Sequence, residues 1–373
     1  MSFSRRELLR SIAASALTSA AITSLDEVVL ARPPGTTIRL DQNENAYGPS
    51  PKAIEAMRAC LLAANRYPRS ECEELTERIA RFHKIKHEQV TLGAGTREIL
   101  RMAATAYLLA RKKLVLASPT FDAMSETAQR AVGANLAKVA LTRRSSHDLE
   151  AMLAEVDATT GLIYICNPNN PTGSLTPRKD LEVFLSKLPA SAVVLIDEAY
   201  HDYVGTSSDY VSFIDHPLDD DRLIVTRTFS KMHGLAGLRI GYAVSSPQRS
   251  RELSASRLSW DVNVVAAHAA AAALEDSEHV RLCAERNRSD RQEFYNMVNA
   301  RMMRQIDSLA NFVFMNTGIP GAQVVEHFRK NNILLGPLVP QMDKYVRVSL
   351  GVPEEMREFW RVWDLLPPHE MAM

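Results

Sequence analysis

Four cysteines in 373 residues, with no Cys-x-x-Cys pair among them, exclude a zinc ribbon or a dithiol redox motif. Cys60, Cys72, Cys166 and Cys283 are scattered and read as buried free thiols. Net charge is also lacking, since Lys plus Arg and Asp plus Glu both number 44. A balanced chain has no electrostatic reason to seek nucleic acid or an anionic membrane, which leaves small-molecule chemistry as the default. The nucleotide-binding glycine loops are absent too. "GAGTRE" (93–98) has two glycines of GxGxxG but Glu98 in the third place, and no GxxxxGK[ST] occurs, which disfavours nicotinamide and ATP folds. His83 and His87 in "HKIKH" have the spacing of helical metal ligands, yet lysines crowd them and no carboxylate accompanies them, so no metal is expected.

What is present is ordinary for a globular enzyme: 46% hydrophobic and 24% charged residues, in a chain long enough for two lobes. The first residues read as an export signal. "SRRELLR" carries Arg5-Arg6 as a twin-arginine pair. The following "SIAASALTSAAITSL" is uncharged and too short and weakly hydrophobic to span a bilayer, and a cleavage site falls near Ala31. The expected layout is therefore a signal over 1–31, an N-terminal arm over 32–55, a large domain over 56–246 and a small α+β domain over 247–373. Export to the periplasm follows from the signal, and no stable membrane association is expected.

Beyond the arm, β-rich runs alternate with helical periodicity: "QVTLG", "KLVLASP", "GLIYICNP", "AVVLIDEAY", "RLIVTRTFS" and "RIGYAVS". This pattern predicts an α/β fold, a mostly parallel sheet flanked by helices. From about 247 a long alanine-rich helical stretch leads to "NFVFMNT", "NILLGPL" and "YVRVSLG". Polar clusters stand just after strands, at Asn167 to Gly173, Asp197 to Tyr200 and Thr228 to Lys231, where open α/β sheets bind ligands. Gly95 and Thr96 lie in a strand-to-helix turn whose N–H groups suit a phosphate. Lys231 follows an apolar run, and the glycines of "SKMHGLAGLR" lead to Arg239. That is the setting of a lysine that serves as a reagent, a Schiff-base former that needs a carboxylate, an aromatic face and a phosphate cradle nearby.

These words in this order resemble the fold-type I pyridoxal-phosphate aminotransferases (class I/II), in particular the histidinol-phosphate aminotransferase-like branch. "LDQNENAYGPSP" is similar to its arm, "RYP" to its phosphate-touching tyrosine, "NPNNPTG" to its loop beneath the ring, and "DEAY" to its pyridine-facing strand end. "TFSKMHGLAGLRIG" and "YVRVSLG" are similar to its lysine and carboxylate-binding segments. The resemblance implies pyridoxal 5′-phosphate held covalently by Lys231, which would also shuttle the substrate proton. Asp197 would pair with the ring nitrogen, and Asn170 and Tyr200 would bond the phenolic oxygen. Phe121 would stack on the ring. Gly95, Thr96, Thr228, Ser230 and Arg239 would bind the phosphate, and Tyr67 would reach the cofactor of a second copy in a homodimer with shared sites. Arg347 would grip the substrate carboxylate. Taken alone, Phe121 reads as core, Arg347 as a solvent-facing strand residue and Tyr67 as a turn residue before proline.

Two positions depart from the branch. Gly336 stands where "IxVRP" has an arginine, and Met124 stands in place of a second aromatic. Loss of that arginine removes a strong phosphate contact. The expected donor is thus an amino acid without a phosphate, its side chain received by Tyr47, Trp260 and the segment Leu335 to Leu338, and its amino group passed to a 2-oxo acid. The same residues allow a decarboxylase, lyase or cyclase, since the pocket decides which bond breaks. A binding protein without catalysis is the remaining alternative.

Overall fold

Residues 37–366 are described by the computed structural model; the expected export signal lies outside them. Twelve strands are present among the described residues: β1 (Ile38–Leu40), β2 (Val90–Gly93), β3 (Lys113–Ser118), β4 (Asn135–Ala140), β5 (Thr160–Cys166), β6 (Val193–Asp197), β7 (Leu223–Thr228), β8 (Gly241–Ser245), β9 (Arg304–Ile306), β10 (Phe312–Asn316), β11 (Ile333–Leu335) and β12 (Tyr345–Ser349). Seven form the main sheet in the order β2-β8-β7-β6-β5-β3-β4. All neighbours pair in parallel except β8, which runs antiparallel to both β2 and β7.

Side chains alternate faces along a strand. Leu162, Tyr164 and Cys166 of β5, Val193 and Leu195 of β6 and Ile224 of β7 therefore join one core cluster. Ile163, Ile165, Val194, Ile196 and Val225 join another on the opposite face. Two buried faces explain why these runs read as continuously apolar. Strand β4 carries polar residues at the sheet edge and has no such run, so the apolar pattern did not announce it.

A three-stranded antiparallel sheet, β12-β10-β9, and a parallel pair, β1-β11, build the second packing centre. One face of β12 gives Val346 and Val348 to the cluster containing Phe294, Phe328, Phe359 and Trp360. The alternate residues Arg347 and Ser349 lie on the other face, toward Phe312 and Tyr200. Pairing of β1 with β11 makes the start of the expected arm a strand of this region.

The long helical stretch divides in two, Val264–Leu274 and Ser277–Ala300, because Asp276 leaves helical geometry (ψ 64°) and pairs with Lys52 at 3.2 Å. The first helix is capped by Asn263, whose Oδ1 accepts from the Ala266 N–H at 2.8 Å. Removing such a cap costs about 1 kcal/mol. His83 closes the helix Arg69–His83, with Lys84 in the left-handed region just after it, so His87 does not share a helical face with it. His83 Nε2 instead bonds the Tyr242 hydroxyl at 2.8 Å. No described helix is long and apolar enough to cross a membrane.

Candidate active site

Strand parity separates the two carboxylates of "DEAY". Asp197 continues the Val193 and Leu195 face, which it shares with Tyr164 and Thr226. Tyr164 donates its hydroxyl to Asp197 Oδ2 at 2.9 Å, Thr226 donates to Oδ1 at 3.0 Å, and the Ala199 N–H donates to Oδ1 at 3.2 Å. All three donors are neutral. Burial raises the Asp197 pKa while these bonds pull it back. Glu198 projects to the other face, where Arg227 Nε meets it at 2.9 Å and Ser212 donates at 2.7 Å. One carboxylate is neutralised by its own chain, and its neighbour is left facing the site without a bonded cation.

Lys231 lies in the connection between β7 and β8, which is closed by a backbone bond from Phe229 N to Ile240 O. Its Nζ donates to the Gln42 carbonyl at 2.8 Å and stands 5.8 Å from the Tyr200 ring centre. Burial first, then the charges of Arg347 and Arg239, lower its pKa to about 7. Arg347 is buried and donates through Nη1 to Asn170 Oδ1 and through Nη2 to the Asp41 carbonyl, both at 2.6 Å. Its Nε has no bonding partner. Burial lowers its pKa. The Tyr200 hydroxyl accepts from Asn170 Nδ2 at 3.3 Å and Asn43 Nδ2 at 3.0 Å, and burial raises its pKa.

The helix Thr96–Tyr107 begins directly after Gly95, whose φ of 75° favours glycine. A Cβ on Gly95 would overlap the Arg239 guanidinium, so the absent side chain is what lets that cation lie over the helix N-terminus. Arg239 Nη1 donates to Ser230 Oγ at 3.3 Å and the Ala236 carbonyl at 3.0 Å. Neither partner is charged. Thr228 Oγ1 accepts from the Ser230 N–H at 3.0 Å, which folds the loop beside this cation. Phe121 is half-buried, with the Arg97 guanidinium 5.4 Å from its ring centre.

The structure thus groups Lys231, Tyr200, Asn170 and Arg347, brings Asp197 near Lys231 and Tyr200, and gathers Gly95, Thr96, Thr228, Ser230 and Arg239 at one helix end. Other expected positions fall elsewhere. Tyr67 is 76% exposed, and its ring packs on Trp260 at 5.2 Å between centres. Trp260 thus has the exposed Tyr67 ring as its aromatic neighbour. The Tyr47 hydroxyl donates to Asp290 at 2.8 Å and is directed at the helix Ser277–Ala300. Met124 is fully buried in the main-sheet core. Gly336 lies against Arg347: a Cβ there would stand 2.8 Å from Arg347 Nε, and its N–H donates to the Arg347 carbonyl at 2.9 Å.

Sequence reasoning missed Tyr164, Thr226, Asn43, Ser349 and Asn311. Tyr164 was detectable as the one hydroxyl-bearing side chain inside "LIYIC". Asn43 is in the quoted "QNENAYG", but its partners come from segments remote in sequence.

A buried carboxylate with only neutral donors, a guanidinium over a helix N-terminus without a carboxylate, and a lysine lowered to about 7 have matching needs. A protonated ring nitrogen, a phosphate and an aldehyde meet them, so the residues fit pyridoxal 5′-phosphate.

Comparison with known proteins agrees. Residues 36–361 match the family "Aminotransferase class I and II". Histidinol-phosphate aminotransferase of Moorella thermoacetica is 36% identical over 327 residues, covering 87% of this chain and 84% of that protein. Histidinol-phosphate aminotransferase 2 of Pseudomonas aeruginosa is 35% identical over 338 residues, covering 90% and 91%. The crystal structure of histidinol-phosphate aminotransferase from Sinorhizobium meliloti in complex with pyridoxal-5′-phosphate superposes with a TM-score of 0.82 at 25% identity, covering 89% of this chain and 90% of that one. The chain belongs to the class I and II aminotransferases and is a transaminase dependent on pyridoxal 5′-phosphate.

Proposed function

We propose that this transaminase takes its amino group from an amino acid bearing a free α-carboxylate and no phosphate, and passes it to a 2-oxo acid in a ping-pong cycle. The observation that carries this reading is the contact of Gly336 with Arg347. With no side chain at 336, Arg347 is the cation offered at this wall, and its planar fork suits one carboxylate. The curated relatives are named for histidinol phosphate, which favours that donor as a second reading. Side-by-side turnover of single amino acids and histidinol phosphate by the purified protein decides between them. Fast, selective use of histidinol phosphate would overturn the first reading.

When bound, pyridoxal phosphate supplies an electron sink for the bonds at the donor's Cα. Asp197 would hold the proton on the ring nitrogen, and its burial would strengthen that pairing. Arg239, Ser230, Thr228 and the N–H groups at Gly95 and Thr96 would hold the phosphate, and Phe121 would pack against the ring. Tyr200 and Asn170 would orient the phenolic oxygen. Arg347 holds the donor's carboxylate so that one Cα–H is presented to Lys231, whose Nζ, neutral above about pH 7, takes the proton. Product analysis separates transamination from decarboxylation, elimination or cyclisation: release of the 2-oxo acid without loss of CO₂ is expected.

The exposed Tyr67 and Trp260 pair supports a homodimer in which Tyr67 reaches the partner's phosphate site. Domain boundaries near 55 and 246, and export by the twin-arginine segment, complete the proposal. Fractionation of cells expressing the full chain and an Arg5→Lys, Arg6→Lys variant tests the last.

A further inference from the structure

Arg347 and Ser349 are two residues apart on β12 and face the same side. Each fixes one asparagine. Arg347 Nη1 donates to Asn170 Oδ1, which leaves Nδ2 of that amide for Tyr200. Ser349 Oγ accepts from the Asn43 N–H at 2.8 Å and donates to Asn43 Oδ1 at 3.1 Å, which turns Nδ2 of this second amide onto Tyr200 as well. Asn43 is 1% exposed, holds a left-handed φ of 52°, and has its carbonyl bonded by Asn311 Nδ2 at 3.0 Å. Nothing in this arrangement is free to rotate without breaking a buried bond.

The Tyr200 oxygen therefore accepts two N–H donors. A phenolic oxygen has two acceptor positions, and with both filled its own hydrogen is left to donate. We propose that Asn43 and Ser349 are positioning residues which, together with Arg347 and Asn170, make Tyr200 a fixed hydrogen-bond donor toward the cofactor's phenolic oxygen. The inference rests on the placement of Tyr200 beside that oxygen given above. Each N–H on the Tyr200 oxygen also polarises its O–H, so losing one weakens the bond it donates. The phenolic oxygen then keeps more negative charge, and the adjacent imine nitrogen holds its proton to higher pH. Because Arg347 is also the proposed carboxylate grip, strand β12 joins donor binding to the electronics of the ring.

The charged or titratable groups around Tyr200 include Arg347, Lys231, Asp197, Cys166 and Tyr203, and the variants below leave all five in place. The measurement is the visible absorbance of the loaded enzyme as a function of pH, for wild type, Tyr200→Phe, Ser349→Ala, Asn43→Gly and the Asn43→Gly, Tyr200→Phe double variant. Glycine at 43 tolerates the positive φ. Ser349→Ala and Asn43→Gly should raise the midpoint by about half a unit to one unit, the scale of one hydrogen bond, and Ser349→Thr should restore it. In the Tyr200→Phe background, Asn43→Gly should add nothing. If Tyr200→Phe moves the midpoint and neither Ser349→Ala nor Asn43→Gly does, the inference fails while the site reading stands. If Tyr200→Phe itself leaves the midpoint in place, both fall. Should Asn43→Gly not fold, Ser349→Ala with its threonine rescue carries the test alone.

Discussion

Adding one methyl group at Gly336 tests the Arg347 grip directly. In Gly336→Ala the new Cβ would stand 2.8 Å from Arg347 Nε, 3.0 Å from its carbonyl oxygen and 3.1 Å from its Cβ. Unstrained contacts lie near about 3.5–4 Å, so the Arg347 side chain must withdraw by about 0.7 Å. The atom that has to yield is in the middle of the side chain, and both ends are held: Nη1 and Nη2 each have a bond of 2.6 Å. Withdrawal stretches those bonds toward the limit of hydrogen bonding and tilts the fork that receives the carboxylate. Losing one charge-assisted bond costs about 1.5–3 kcal/mol, about 10- to 150-fold in kcat/KM. The assay is single-turnover conversion of the loaded enzyme with an amino-acid donor, and with the matching amine lacking a carboxylate as control. The amino acid should lose most of that factor through weaker binding, the amine should lose little, and retained cofactor should be unchanged. Equal losses for both donors, or none for the amino acid, would refute the grip.

Other outcomes follow from the same geometry. Attachment of pyridoxal phosphate to the cofactor-free protein should accelerate as pH rises through about 7, because only the neutral Lys231 amine attacks an aldehyde; a midpoint near 10 would contradict the lowered pKa. Asp197→Asn should reduce turnover by about 10²- to 10³-fold with little change in donor binding, measured by steady-state kinetics. Buried His147 has its pKa lowered to about 4 by burial, and its Nε2 has no partner. The unfolded chain takes up this proton first, so the contribution is complete above about pH 6.5 and is lost as pH falls toward 4, at most about 3 kcal/mol in denaturant titrations. Tyr67→Phe should weaken cofactor retention on dilution, and unchanged affinity would count against a shared site.

The sheet was legible because residues buried on both faces leave uninterrupted apolar runs, and β5, β6 and β7 each have one. Edge strand β4 and the short β9 lack such runs and were not seen. Asp197 and Lys231 stood out because they sit at or just past a strand end, and Arg347 because it is a cation in the middle of an alternating strand. The support around them was less visible. Asn43 meets Ser349 across 306 residues and Tyr200 across 157, and local patterning carries no trace of such pairings. The packing of Trp260 on Tyr67 was not visible for the same reason: an exposed aromatic has no periodic constraint, and the contact is tertiary.

The register of β6 against β7 has a metric consequence. Asp197 sits directly opposite Thr226, and Lys231 follows after the end of β7. The pairing therefore works as a ruler, fixing the interval between the Asp197 carboxylate and the Lys231 amine. A slip of one residue would change that interval by about 3.3 Å and turn Thr226 away from the carboxylate. Interchangeable apolar side chains inside these strands leave the ruler intact. An insertion in the short stretch from Thr226 to Lys231 would not, so that stretch should be the least tolerant of length change in the molecule.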